Sequence, residues 1–122
     1  MQFKECYQNP FIEERADPYI TLGPDGFYYF TASYPMKSAD DKDGYDRVIL
    51  RRAKDISELA SAEEITIWKV ADTTLTHRFI WAPELHYIAG LWYVFYAGSE
   101  DKENNWAFDC HVLVCDSNDP YT

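Results

Sequence analysis

The chain has 122 residues, 47% hydrophobic and 17% aromatic, which suits one small folded domain and is too apolar for a disordered segment. Acidic residues outnumber Lys and Arg by 21 to 11, and the formal net charge of −10 opposes nucleic acid or an anionic membrane surface as a partner. No stretch approaches the roughly 20 apolar residues of a spanning helix, and residues 1 to 15 lack an apolar export core, so the expectation is a soluble, cytoplasmic protein.

Aromatic and β-branched runs between turn signals predict strands near 17 to 22, 27 to 33, 47 to 53 and 64 to 70. Gly23-Pro24-Asp25-Gly26 is a turn between the first two, and 37 to 45 is a polar, Asp-rich loop before the third. Residues 55 to 62 fit one short helical turn, with too few apolar positions to anchor a longer helix. Three more strands are predicted near 84 to 89, 91 to 98 and 109 to 115.

The second set repeats the first. Gly26-Phe27-Tyr28-Tyr29-Phe30 matches Gly90-Leu91-Trp92-Tyr93-Val94 at an offset of 64 residues, and the same offset lays Val48-Ile49-Leu50 on Val112-Leu113-Val114. Asp17-Pro18-Tyr19-Ile20 falls within a few residues of Glu84-Leu85-His86-Tyr87. Four-stranded antiparallel units repeated about an axis describe an all-β propeller, with residues 9–71 as blade 1 and 80–122 as a blade 2 without its last strand. Two blades leave apolar faces and strand edges open, so the remaining blades are expected from the same polypeptide or from an oligomeric partner.

Two segments resemble glycoside hydrolase family 43, whose fold is a five-bladed β-propeller. One is Asn9-Pro10-Phe11, then Arg15-Ala16-Asp17-Pro18-Tyr19-Ile20 and Gly26 to Ser33; the other is Ile80-Trp81-Ala82-Pro83-Glu84-Leu85-His86-Tyr87, then Gly90 and Trp92 to Tyr96. Arg51-Arg52-Ala53 and Ser117-Asn118-Asp119-Pro120 also resemble blade-edge sequence of the family. The resemblance implies that Asp17 is the general base and that Glu84, where the family commonly has Asp, orients the general acid and tunes its pKa. The acid itself is implied to be a glutamate on a later blade, past Thr122, so little turnover is expected of the 122 residues alone. Arabinofuranosidase or xylosidase chemistry on arabinose- or xylose-containing oligosaccharides or polysaccharides is implied in the same way.

The chemistry asks for such groups. Inverting glycoside hydrolysis uses one carboxylate to activate water and one carboxylic acid to protonate the leaving oxygen, roughly 6.5–9.5 Å apart. Pro18 removes an amide donor that would compete for the Asp17 carboxylate, and fixes the local backbone. A like charge at Glu84 would favour the protonated form of a nearby acid. Phe30, Trp81 and Trp92 are candidate stacking surfaces for sugar rings; Trp81, beside the motif, is preferred, and Trp92 fits core packing better.

Plainer readings exist for each residue. Asp17 can be an ordinary turn carboxylate, and Glu84 a solvated strand-edge residue. His77, His86 and His111 read as structural histidines, because no second ligand stands at metal spacing. Asp40, Asp41 and Asp43 with Gly44 form a solvated loop, since a calcium loop over them would begin at Ala39 and end at Leu50. Cys6, Cys110 and Cys115, an odd number, read as packed or surface thiols of a reducing compartment. No metal or cofactor is expected. The alternative function is a non-catalytic carbohydrate-binding or self-assembling propeller unit.

Overall fold

The computed structural model describes residues 1–2, 7–38, 44–72, 78–99 and 106–122. Cys6, the Asp40–Asp43 loop and His77 lie outside the described residues. The described elements are β1 (Ala16–Leu22), β2 (Tyr28–Ser33), β3 (Arg47–Ala53), β4 (Ile65–Lys69), β5 (Arg78–Ile88), β6 (Leu91–Ser99) and β7 (Phe108–Cys115). A 3-10 turn over Ile56–Ala60 precedes β4, and the Asp55 carboxylate caps it by accepting from the Ser57 amide at 2.8 Å. The helical turn expected there from sequence is therefore present.

The strands form two antiparallel sheets, ordered β1-β2-β3-β4 and β5-β6-β7. They are packed as two successive blades of a propeller, the all-β architecture expected from the sequence pattern. Each starts from an innermost strand, β1 or β5, and these two strands pack against each other. The second hairpin closes in two residues, Ala89 and Gly90, both at positive φ (50° and 93°), the geometry whose twist matches the flanking strands.

One cluster of side chains fills the space between the blades: Tyr29, Val48 and Leu50 from the first meet Ile80, Leu85, Trp92, Val94 and Tyr96 from the second. On the far side of the first blade, Phe30, Ala32, Ile49, Ala53 and Leu59 form another, covered by Phe11, Ile12 and Ile56. With both faces covered, Val48, Ile49 and Leu50 are all buried, which is why the run shows no polar alternation. Val112 and Val114, at 54% and 59% exposure, lie on β7, where no fourth strand pairs among the described residues.

The strand registers refine the repeat. Tyr28 pairs with Ala53 and Trp92 with Cys115, so Ala53 superimposes on Cys115, two residues short of the 64-residue offset. Ala16 pairs with Ser33 and Tyr19 with Thr31; Trp81 pairs with Ala97 and Glu84 with Phe95. Both inner strands thus carry the same one-residue bulge, and Asp17 superimposes on Ala82, Pro18 on Pro83 and Tyr19 on Glu84. Both prolines sit in a bulge on a strand at the end of its sheet, where the missing amide costs no ladder bond. The inner strand of the second blade begins at Arg78, six residues before the start expected from sequence, because bulges between Arg78 and Trp81 and between Trp81 and Glu84 break the period-two pattern.

Two ion-pair groups tie the scaffold. The Glu64 carboxylate accepts from Arg15 and, at 3.1 Å, from Arg51 Nε, while Arg15 and Arg47 cover the Tyr34 ring at 4.3 and 4.4 Å. Burial works against ionisation of Glu64, but the two guanidinium groups outweigh it and hold its carboxyl below the usual value of 4.5. A depressed folded-state pKa contributes stability above the unfolded value and loses it as pH falls through the folded one. Glu64→Gln is expected to destabilise by about 2 kcal/mol at pH 7, with the gap from the parent shrinking below about pH 4. Urea denaturation across that pH range measures it. The second pair joins the two blade-edge stretches: Arg52 Nη1 donates to both Asp119 carboxylate oxygens at 2.9 Å and stacks on Tyr121, whose hydroxyl donates to the Glu63 carbonyl.

Candidate active site

Asp17 stands in the β1 bulge at φ 51°, a left-handed conformation that Asp tolerates better than most residues. It is exposed on the strand nearest the second blade. Its Oδ2 accepts from Ser33 Oγ at 2.9 Å, and Ser33 Oγ in turn accepts from the Ala82 amide at 2.8 Å. Oδ1 has no partner among the described residues. The carboxylate on the first blade is therefore linked through one buried hydroxyl to the backbone of the second.

Glu84 lies on β5, half-exposed at 52%, with Oε2 2.9 Å from His86 Nε2. The other imidazole nitrogen, Nδ1, is 3.5 Å from the Tyr19 hydroxyl, and the ring packs on Tyr19 and edge-on to Phe95. His86 is thus a satisfied histidine, and its partners are the motif carboxylate and the residue two after Asp17. Glu84, superimposed on Tyr19, enters its strand two residues beyond the position equivalent to Asp17.

Of the aromatic candidates, Trp81 is half-buried and has one face stacked on Phe108 at 4.4 Å and 25°. Its Nε1 is buried without a partner among the described residues. Trp106, 78% exposed, meets it edge-on at 6.0 Å. Phe30 is no sugar platform: at 1% exposure it packs among Ala32, Ile49 and Leu59, because its position on β2 turns it into the core on the far side of the first blade. Trp92, at 2% exposure, is a core residue as its strand position suggested. An apolar groove of about 260 Å³ lined by Ile67, Trp68, Leu113 and Val114 opens between β4 and β7 and shares no residue with this site.

Sequence reading missed Ser33, Trp106 and the Tyr19–His86 contact. Ser33 closes the first motif and was visible as a hydroxyl there, but its pairing with Asp17 needs the hairpin register. Among the described residues no three His, Cys, Asp or Glu come together as a metal site. His111 stacks on Tyr96 and approaches the Gly98 carbonyl at 3.3 Å; Cys110 is exposed and Cys115 half-buried, both free thiols.

Two antiparallel blades with matching bulged inner strands, one carrying Asp17 and the other Glu84 two positions further on, fit the propeller that the resemblance to a glycoside hydrolase implied. Residues 7–122 match glycosyl hydrolases family 43, and the chain belongs to that family. It is 41% identical over 116 residues to an extracellular exo-α-(1→5)-L-arabinofuranosidase of Streptomyces avermitilis, covering 95% of this chain and 22% of that protein. Over 91 residues it is 46% identical to α-L-arabinofuranosidase 43 of Humicola insolens, covering 75% of this chain and 17% of that protein. The crystal structure of an α-L-arabinofuranosidase from Lactobacillus brevis superimposes with a TM-score of 0.76 at 39% identity, over 95% of this chain and 35% of that one. The chain thus spans about a sixth to a third of the relatives it matches. The relatives from Streptomyces avermitilis and Streptomyces chartreusis are described as extracellular, which overturns the cytoplasmic expectation. That expectation rested on residues 1 to 15, and the start of a chain says nothing about a leader that precedes or is removed from it.

Proposed function

We propose that these residues form the general-base side of the active site of an inverting glycoside hydrolase acting on α-L-arabinofuranosyl linkages. The observation that carries the reading is Asp17: exposed, left-handed, in a proline bulge on an inner strand, with one carboxylate oxygen held by Ser33 and the other open to a water. That oxygen takes a proton from water as the water oxygen bonds to the anomeric carbon and the glycosidic C–O bond breaks. An acid from the remaining blades gives the leaving oxygen its proton. Glu84, held by His86, supplies charge and orientation beside that acid rather than transferring a proton itself. Trp81, half-buried and held in place by Phe108, Phe79 and Tyr45, is assigned to the sugar-binding surface through the part of its ring left exposed. Arabinofuranosyl over xylosyl specificity is favoured by the 39–46% identity to arabinofuranosidases.

The test is hydrolysis of an aryl α-L-arabinofuranoside and of arabino-oligosaccharides by the native polypeptide that carries these 122 residues, with the first-formed anomer followed by NMR. Release of the inverted sugar supports the reading. Retention of configuration, or binding without turnover, would replace it with a double-displacement enzyme or a carbohydrate-binding unit. The isolated chain of 122 residues is expected to turn over the aryl glycoside at least about a hundredfold more slowly, since general-acid assistance alone is worth roughly 10²–10⁴ in rate.

A further inference from the structure

We infer that Ser33 is a positioning residue for the general base, aiming the Asp17 carboxylate by reference to the second blade. This rests on the assignment of Asp17 as base and adds a residue that acts through it.

The hydroxyl is 0% exposed, and both of its hydrogen-bonding roles are engaged: it donates to Asp17 Oδ2 at 2.9 Å and accepts from the Ala82 amide at 2.8 Å. With the amide supplying the acceptor role's partner, the proton of the hydroxyl has one direction left, towards the carboxylate. Pro18 has no amide to offer, so Ser33 is the sole hydrogen-bond donor to Asp17 among the described residues. An exposed carboxylate on two rotatable bonds would otherwise sample several rotamers, and a base misplaced by about 1 Å can lose on the order of 10² in rate.

The second blade supplies the control. Its bulge has the same register and the same left-handed residue before proline, Ala82 at φ 45°, yet it carries Ala82 in place of Asp17 and Ala97 in place of Ser33. The bulge therefore folds without a hydroxyl at that site, and the serine accompanies the carboxylate rather than the backbone geometry. Because the Ala82 amide belongs to the Trp81-Ala82-Pro83-Glu84 segment, the same contact ties the direction of the base to the strand that carries Trp81 and Glu84.

The experiment is a double-mutant cycle in the native polypeptide, reading kcat and KM on an aryl α-L-arabinofuranoside for Ser33→Ala, Asp17→Asn and both together. Ser33→Ala is expected to lower kcat by about 10- to 100-fold with KM within about threefold, and to change kcat by less than about twofold once Asp17 is Asn. Ser33→Cys, near in volume with a weak donor, is expected to show a loss in the same direction and guards against a misfolded alanine variant. Parental kcat in Ser33→Ala or Ser33→Cys alongside a loss in Asp17→Asn overturns this inference and leaves the base assignment standing. An equal loss with and without the Asp17 substitution also overturns it, because the serine would then act on the fold. Parental kcat in Asp17→Asn overturns the base assignment and this inference with it.

Discussion

Asp17→Asn in the native polypeptide is expected to lower kcat on arabinofuranosides by about 10²–10⁴ while KM stays within about threefold, which corresponds to roughly 3–5 kcal/mol of transition-state stabilisation. Asn keeps the shape of the side chain and an oxygen that accepts from Ser33, so the variant removes the charge and leaves the bulge and the cross-blade link in place. A base acts on the attacking water and only in the transition state, which is why the loss falls on kcat rather than on ground-state binding. Glu84→Gln is expected to cost far less, about tenfold, because its carboxylate is engaged by His86 and is assigned charge rather than proton transfer. Steady-state kinetics of the two variants side by side decide the assignment. A larger loss at Glu84 than at Asp17 would exchange the roles of the two carboxylates.

The largest effect on stability is expected at Trp92. It is 2% exposed, lies 5.0 Å from the ring centroids of both Tyr29 and Tyr87, and donates from Nε1 to the Asn118 carbonyl at 3.2 Å. It therefore joins the inter-blade cluster to the segment after β7 that also holds Asp119 against Arg52. Trp92→Ala should destabilise by about 3–5 kcal/mol, from lost apolar burial and the cavity left behind. Trp92→Phe should cost about 1–2 kcal/mol, chiefly the indole hydrogen bond and part of the volume. A Cβ at Gly23 would stand 2.8 Å from Tyr29 and 3.0 Å from Trp92, so the first-hairpin turn is packed directly against these two rings. Denaturation midpoints of the two variants check both numbers, and a Trp92→Ala cost under about 1 kcal/mol would show that the blades do not depend on this contact.

The candidate site was legible where its residues are adjacent in the sequence. Asp17 before Pro18, and Glu84 after Trp81-Ala82-Pro83, stand out in the sequence, and the glycine-led aromatic runs made the two blades visible as a repeat. Phe30 was misread because a strand residue's face depends on which side of its sheet the neighbouring blade covers, and local pattern is silent when both sides are covered. The registers of Glu84 and β7 were misplaced for a related reason: bulges and unequal hairpin loops shift one strand against another without changing its composition.

By itself, then, the sequence determined the strands, their antiparallel order within each unit and the repeat, and it singled out the two candidate carboxylates, because strand propensity, turn chemistry and proline's missing amide are local properties. Only the tertiary structure decided that Ser33 bridges Asp17 to the Ala82 amide, that His86 serves Glu84, and that Arg52 meets Asp119. Glu84 and His86 stand two apart on β5, where every second side chain shares a face, but the other partners are 16 to 67 residues apart along the chain. The β1–β2 register sets Ser33 beside Asp17, and the packing of one blade on the next through Tyr29, Leu50, Leu85 and Trp92 brings in the Ala82 amide and Asp119.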